Sequence, residues 1–570
     1  MAAIEQKSAM PQSVDPITLT VLWKGLISIA EEMGTAMRRT AFSEAVREGD
    51  DFSAAVFDRH GQMIAQGNFT PGHLGAMPFA VKNMLAYVPQ DQLEPGDTVV
   101  TNDAALGAGH FPDFFFMQPV FDEARELIGY VVNTAHHIDV GGVVPGSQGV
   151  QGTKDAFAEG IRVLPVKLIR KGEFDEHLMR VIMGNVRLPE KLRGDLRAQN
   201  NANNVGAGRL RAMFAEQGRE TMDAVMNAIL DHSENRAREL LLRIPNGTYS
   251  FEDRFDDYGP GTPPISVCID MTFRDGRLTV DYSRSSDQVP AGINCYINYS
   301  RAYALFGMRI FTGIDVPQNA GVMRVVDVVA RPASFFNAQY PAAGGGRAAC
   351  QVRIFDTING AMSRVVPERA MGAFSHGSNP NFGGVDPKTG KRWIMYDLIM
   401  GGYGGRADTD GPEAVCPVFN CANIPVEVHE NLNPIRIRRL DLIPDSGGAG
   451  KFRGGLGIRK DVEVLLDGTT LTLLSDRHEN APYGLFGGQP GAKAQTLLIR
   501  DGEETSLGSK AVCELKRGDV VSFRLSGAGG YGHAAERDPG RVRHDVRQGF
   551  VTAEAAKKDY GVSEGAGFPG

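Results

Sequence analysis

Glycine is the feature that most constrains this chain: 69 of its 570 residues are glycine, about 12% against a usual ~7%. The glycines are scattered with no Gly-X-Y period, which excludes a collagen-like triple helix. They predict many tight turns and many places where backbone passes close to backbone. A chain of this length exceeds what one core usually carries, so several domains are expected. Hydrophobic residues at 42% and charged residues at 22% give the balance of a globular protein rather than a disordered one. The net charge of −8 argues against a nucleic-acid partner, which would call for a basic face. No run of about 18 apolar residues occurs, so no membrane span is expected. Residues Met1 to Val14 lack the apolar stretch of a secretory signal. The cysteines (Cys268, Cys295, Cys350, Cys416, Cys421 and Cys513) show no CxxC or paired spacing. They are expected to be reduced and mostly buried, as in a cytoplasmic protein, so a metal would rest on histidines and carboxylates.

Asp15-Pro16 predicts a capped helix start, and Leu19, Leu22, Leu26, Ile29 and Met33 then recur as one apolar stripe. Asp51 to Asp58 predicts a strand that turns back at Asp58-Arg59-His60-Gly61. A short helix is expected from Pro78 to Val88, with Val81, Met84, Leu85 and Val88 on one face. Thr98–Thr101 and Phe114–Met117 read as strands, with Ile128–Val132 as the hairpin partner of the second. Residues 176–242 are strongly helical, with a stripe of Met222, Val225, Met226, Ile229 and Leu230 and an expected surface pair between Glu239 and Arg243. After Pro245-Asn246-Gly247 the texture changes to alternating strands, 265–271 and 278–282. A last β-rich block covers 461–524, with a short helix near 553–559. The fold class expected is α+β and multi-domain, a helical and mixed-β N-terminal half followed by a β-rich C-terminal half. The divisions are 1–245, a metal-binding mixed α/β domain; 246–460, a β-rich central domain; and 461–570, a β-rich C-terminal domain with a helical tail.

Phosphate loops of the GxxxxGK[ST] type, HExxH zinc helices and GxSxG nucleophile elbows are absent. One GxGxxG occurs at Gly527, Gly529 and Gly532, without the helix that a dinucleotide site requires, and reads as a glycine turn. The informative stretch lies between residues 51 and 162. His110 and Asp113 form an HxxD pair in a glycine loop, Asn102-Asp103 precedes it, and His136-His137-Ile138-Asp139-Val140-Gly141-Gly142 closes the next strand. Only 12 histidines occur in the chain, so three at adjacent strand ends beside carboxylates suggest a site for Zn²⁺, Mn²⁺ or Fe²⁺, with Asp51 available as a fourth ligand. The competing readings are a hydrogen-bonded loop for HxxD and a simple turn for Asp139. Adjacent histidines in an extended segment point to opposite faces, so at most one of His136 and His137 faces a given site.

The ordered motifs Arg39-Thr40-Ala41-Phe42-Ser43, Asp51-Phe52-Ser53, Pro71-Gly72-His73-Leu74-Gly75-Ala76-Met77 and Thr101-Asn102-Asp103 continue with Gly109-His110-Phe111-Pro112-Asp113. They go on through His136 to Gly142, Gly160-Ile161-Arg162, Gly194 to Gln199, Asp445 to Gly450 and the segment around Gly529 to Pro539. On these the chain resembles the hydantoinase B/oxoprolinase family, whose relatives include the large subunits of acetone and acetophenone carboxylases, from Asp15 to Val562. The resemblance implies a divalent metal on Asp51, His110, Asp113 and His136. It further implies acid/base or supporting roles for His137 and Asp139, and substrate contacts from Asn102, Asp103, Gly141, Gly142 and Arg162. Two departures adjoin the implied site: Arg47-Glu48-Gly49-Asp50 replaces a Lys-Glu-Arg-Arg stretch, and Phe114-Phe115-Phe116 replaces mostly aliphatic residues. The triplet suggests an apolar or aryl substrate.

The function so implied is that of a metal-dependent subunit of an ATP-dependent cyclic-amide hydrolase for hydantoins, lactams or oxoproline-type rings. ATP would be used by a separate hydantoinase A-type subunit in a hetero-oligomer and not bound by this chain. The alternatives are the metal-bearing subunit of an ATP-dependent ketone carboxylase and a scaffold subunit with a structural metal.

Overall fold

The computed structural model describes residues 14–313, 316–415 and 418–563, so the expectations for residues 1–13 and for Cys416 fall outside the described residues. Asp15 accepts hydrogen bonds from the backbone N–H groups of Ile17 and Thr18 and caps the helix Pro16–Thr40. Leu22, Leu26, Ile29 and Met33 of its stripe are buried, and Leu19 packs at the margin of the same core.

This helix lies against a seven-stranded antiparallel sheet ordered β2-β1-β5-β4-β3-β6-β7. Its strands are β1 (Phe52–Asp58), β2 (Met63–Gln66), β3 (Thr98–Thr101), β4 (Asp113–Phe121), β5 (Leu127–His136), β6 (Val166–Arg170) and β7 (Glu173–Phe174). β1, β4 and β5 are buried along nearly their whole length because helices cover both faces. The register pairs Asp113 with His136 across β4 and β5, and Phe52 with Ala135 across β1 and β5. An antiparallel arrangement thereby brings two strand starts and one strand end, Asp51, Asp113 and His136, to the same edge of the sheet. The aromatic triplet splits as alternation requires, Phe114 and Phe116 into one core and Phe115 into another.

The helix expected from Pro78 begins at Pro71 instead and runs to Tyr87. Proline is favoured in a first turn, and Pro71 occupies that place while Pro78 is carried in the interior. Tertiary packing decides the longer helix: Gly72 and Gly75 let it press against the helix Ile297–Gly307, where a Cβ on Gly75 would stand 2.5 Å from Ala302 Cα. Residues 176–242 form three helices, Glu176–Met183, Pro189–Gln217 and Arg219–Leu241. The expected Glu239–Arg243 pair is corrected. The last helix ends at Leu241, Arg243 falls in the turn beyond it, and Glu239 pairs with Arg236 at 3.3 Å.

The middle of the chain holds a four-stranded sheet of Gly247–Phe255, Ile265–Arg274, Arg277–Asp281 and Val326–Val329. It also holds helices that sequence periodicity did not reveal. The helix Ala348–Met362 is buried at every residue except Ala349, and its polar residues Gln351, Arg353, Asp356, Thr357 and Asn359 face other protein groups rather than solvent. Two further sheets complete the chain, one of Asn381–Val385, Arg392–Tyr396, Thr469–Leu474 and Lys510–Leu515. The other combines Ile435–Leu442, Ile458–Val464, Gln495–Arg500, Glu503–Ser506 and Val520–Arg524. Residue 460, an expected division, lies inside one strand, and a single buried cluster runs from Ala45 to Leu474 across the other division at 245.

The glycines at 527, 529 and 532 serve close backbone packing: Gly529 N donates to Ala373 O at 2.8 Å, and a Cβ there would meet Tyr483 O. Cys268, Cys295, Cys350, Cys421 and Cys513 form no disulfide. Among the described residues no helix is long and apolar enough to cross a membrane.

Replacing Gly75 with Val should force the Pro71–Tyr87 helix off its neighbour and cost about 1–3 kcal/mol, read as a lower melting midpoint. Gly208, exposed in the Pro189–Gln217 helix with open space where a methyl would go, should behave oppositely. Gly208→Ala is expected to raise the midpoint, because alanine favours a helix interior by ~1 kcal/mol.

Candidate metal centre

Asp113 opens β4, and its carboxylate is buried among three imidazoles and a guanidinium. Its Oδ1 lies 2.8 Å from His110 Nε2 and 3.2 Å from His136 Nδ1, while Oδ2 lies 3.3 Å from His73 Nε2. Arg347 Nη2 donates to the same Oδ2, Nη1 donates to Tyr299 Oη at 2.7 Å, and Nε donates to Ala108 O at 2.6 Å. The guanidinium carbon also sits 3.9 Å from the centre of the Tyr299 ring. Burial alone would raise the Asp113 pKa, but the positive charge gathered around it, of which the Arg347 guanidinium is the permanent part, outweighs burial and holds the carboxyl well below the usual range. Burial and the Arg347 charge push His110 the other way, down to about 4, so its ring is neutral near pH 7.

The tautomers follow from the outer contacts. His110 Nδ1 stands 3.1 Å from Gly345 O, which accepts only if the proton is on Nδ1. Nε2 is then bare, and it is a buried atom without a hydrogen-bond partner although Asp113 Oδ1 is beside it. His136 Nε2 is 3.0 Å from the Gln148 amide nitrogen, while the Gln148 oxygen has no partner. Turning that amide over lets its oxygen accept from His136 Nε2–H and leaves Nδ1 bare toward Asp113. With that amide orientation two imidazole nitrogens and a carboxylate oxygen are available to one ion, and the three donor atoms lie within 4.8 Å of one another. Such a donor set suits a divalent metal of the Zn²⁺, Mn²⁺ or Fe²⁺ kind.

A cavity of about 20 Å³ opens beside His110 and His136, lined also by Asp51, His73, Arg347 and Tyr396 among others. That is room for about one water. Asp51 borders the cavity but stands outside the converging trio. Its Oδ2 accepts from Tyr396 Oη at 3.1 Å, its Oδ1 is 3.9 Å from His73 Nε2, and its backbone carbonyl accepts from His136 N at 3.0 Å.

The other residues singled out from the sequence lie behind this cavity and none lines it. His137 points to the opposite side of the chain from His136, as an extended segment requires, with Nε2 3.0 Å from Gln199 Oε1 and Nδ1 3.9 Å from Asp195 Oδ2. Asp139 accepts from the side chain and the backbone N–H of Arg187, both at 2.7 Å, and burial raises its pKa. Gly141 and Gly142 have positive φ, their carbonyls accept from Arg187, and a Cβ on Gly141 would meet Asn185 O at 2.4 Å. Asn102 bridges Phe111 O, Ile161 O and Val163 N, and Asp103 accepts from Arg162. These contacts clamp the loops that carry the ligands. The Phe114–Phe116 triplet is also buried away from the cavity, so it offers no apolar wall there.

Sequence reasoning missed His73, Gln148, Tyr299, Arg347 and Tyr396. His73 had a signal, since a helix begun at Pro71 places it in the first turn. Arg347 follows the run Gly344-Gly345-Gly346, a mark of close backbone approach, but nothing in its spacing ties it to Asp113.

The hydantoinase B/oxoprolinase family description matches residues 15–534. The chain is 31% identical to the caprolactamase subunit beta of Pseudomonas jessenii over 96% of each chain. A crystal structure of the ATP-dependent caprolactamase of that organism superposes with a TM-score of 0.90 at 30% identity, covering 97% of both chains. It is 29% identical to the 5-oxoprolinase of Saccharomyces cerevisiae over 92% of its own length, spanning 42% of that longer protein. A nucleotide-free acetone carboxylase shares the fold, with a TM-score of 0.89 at 20% identity over 98% of this chain and 81% of that one. This chain belongs to the hydantoinase B/oxoprolinase family.

Proposed function

We propose that the chain is the metal-dependent hydrolytic subunit of an ATP-dependent cyclic-amide hydrolase, acting on a carbonyl phosphorylated by a partner subunit. The observation that carries this reading is the convergence of one donor atom each from His110, Asp113 and His136 within 4.8 Å of one another beside a water-sized cavity. His110, Asp113 and His136 would hold the divalent metal, with Asp51 beside them. When bound, the metal supplies an acidified water and a Lewis acid for the carbonyl.

The chain's own residues do the rest. Arg347 keeps Asp113 ionised, and Gly345 and Gln148 hold the tautomers of His110 and His136. Asp51 and His73 border the cavity 3.9 Å apart and are the groups in reach to take a proton from water there. His137 and Asp139, engaged with Gln199 and Arg187, support this arrangement from behind. A ring substrate exceeds the present cavity, so its lining must open before a lactam reaches Asp51 and His73.

The cyclic-amide class rests on the likeness to caprolactamase and 5-oxoprolinase. The partner, an ATP-binding hydantoinase A-type subunit, is supported by the beta-subunit name of that relative and by the lack of a phosphate loop in this sequence. The fold shared with acetone carboxylase favours a second reading, ATP-dependent carboxylation of a ketone.

Elemental analysis of the purified chain is expected to show a stoichiometric divalent metal. His110→Ala, Asp113→Ala and His136→Ala should each lose most of it, whereas His137→Ala should keep it. Wild-type protein without metal would refute the reading.

Alone with ATP, the chain should neither hydrolyse ATP nor turn over a lactam, and both activities should emerge on adding the partner. Turnover should proceed without bicarbonate; an absolute bicarbonate requirement would leave the carboxylase reading in its place.

A further inference from the structure

Glu159 is buried at 2% exposure behind the cavity, and nothing in the mechanism above uses it. Its Oε1 accepts from the backbone N–H of Gly345, and the N–H of Gly344 also bonds to the carboxyl. The glycine run it grips has three connections to the donor set. The Gly345 carbonyl accepts from His110 Nδ1 at 3.1 Å. Arg347, two residues on, reaches Asp113. Gly345 also lies so close to the segment bearing Gln148, the partner of His136, that a Cβ would stand 2.9 Å from both Ser147 O and Glu159 Oε1.

We infer that Glu159 is a positioning residue that holds the Gly344–Arg347 segment in place and thereby keeps His110, Asp113 and His136 aimed for a divalent metal; the inference rests on the metal-centre reading above. Burial pushes the Glu159 carboxyl up to about 8, so near neutrality it is uncharged and offers one acceptor and one donor. Glutamine offers the same pair. Alanine would strand two buried N–H groups and release the segment.

The test uses the full-length chain stripped with a chelator and titrated with Zn²⁺ against a competing chromophoric chelator, with thermal melting of each metal-free protein alongside. Glu159→Ala should weaken Zn²⁺ binding ~10–100-fold, the range seen when an outer partner of a ligand is lost. Glu159→Gln should stay near wild type. Gly345→Ala, which keeps the carboxyl but presses a methyl against Glu159 Oε1 and Ser147 O, should weaken binding as Glu159→Ala does, and it decides the matter if Glu159→Ala does not fold. A folded Glu159→Ala or Gly345→Ala with wild-type affinity overturns the inference, as does a Glu159→Gln as weak as the alanine variant. If His110→Ala abolishes binding while Glu159→Ala leaves it intact, this inference alone falls. Wild-type chain that binds no Zn²⁺ ends both the inference and the metal-centre reading.

Discussion

The ion pair between Asp113 and Arg347 is the interaction on which the arrangement of the site depends. Its two residues stand 234 positions apart in sequence, one at the start of a sheet strand and the other at the head of a buried helix. A carboxylate so deeply buried is tolerated only if it is paired and hydrogen-bonded. Removing one partner from such a pair costs about 3–5 kcal/mol, because the other charge is left stranded. The pair therefore locks the N-terminal sheet to the central helices and fixes where Oδ1 is presented. The imidazoles of His73, His110 and His136 gather around that fixed point.

What surrounds the pair is a set of clamps rather than a layer of reactive groups. Asn102, Asp103, Asp139, Arg162 and Arg187 spend their polar atoms on loop backbones and on one another. Such contacts satisfy buried donors and acceptors, and they also limit how far the His110 loop and the segment after His136 can move. The glycines at 141, 142 and 345 belong to the same design, each placed where a Cβ would run into a neighbouring backbone. The glycine excess of the chain is thus partly explained at the site itself.

Local chemistry was legible where a residue's neighbours in sequence are also its neighbours in space. The Asp15-Pro16 cap and the Leu22–Met33 stripe, the hairpin turning at Asp58 and the strand pair around Phe115 and Val131 are of that kind. So is the HxxD pair, whose three-residue spacing sets His110 in the loop before β4 beside Asp113 at the start of that strand. Legibility failed where packing overrode the local signal. The apolar face from Val81 to Val88 showed only the second half of a helix that begins at Pro71, where Gly72 and Gly75 pack against a neighbouring helix. Ala348–Met362 was not expected from the sequence, and its polar residues turn out to be buried with the rest of the helix.

The sequence by itself determined the family and the α+β character, and through the resemblance it raised the expectation of ligands at Asp51, His110, Asp113 and His136. These rest on ordered motifs, on periodicity and on ligand types that are properties of short stretches. Tertiary structure alone decided that Asp51 borders the cavity outside the converging trio, that His137 and Asp139 do not line it, and that His73, Tyr396, Arg347 and Glu159 surround the site. The physical reason is that a buried charge recruits its partners by proximity in space. The strand register and helix packing that create this proximity join residues hundreds of positions apart, a distance no motif spacing encodes.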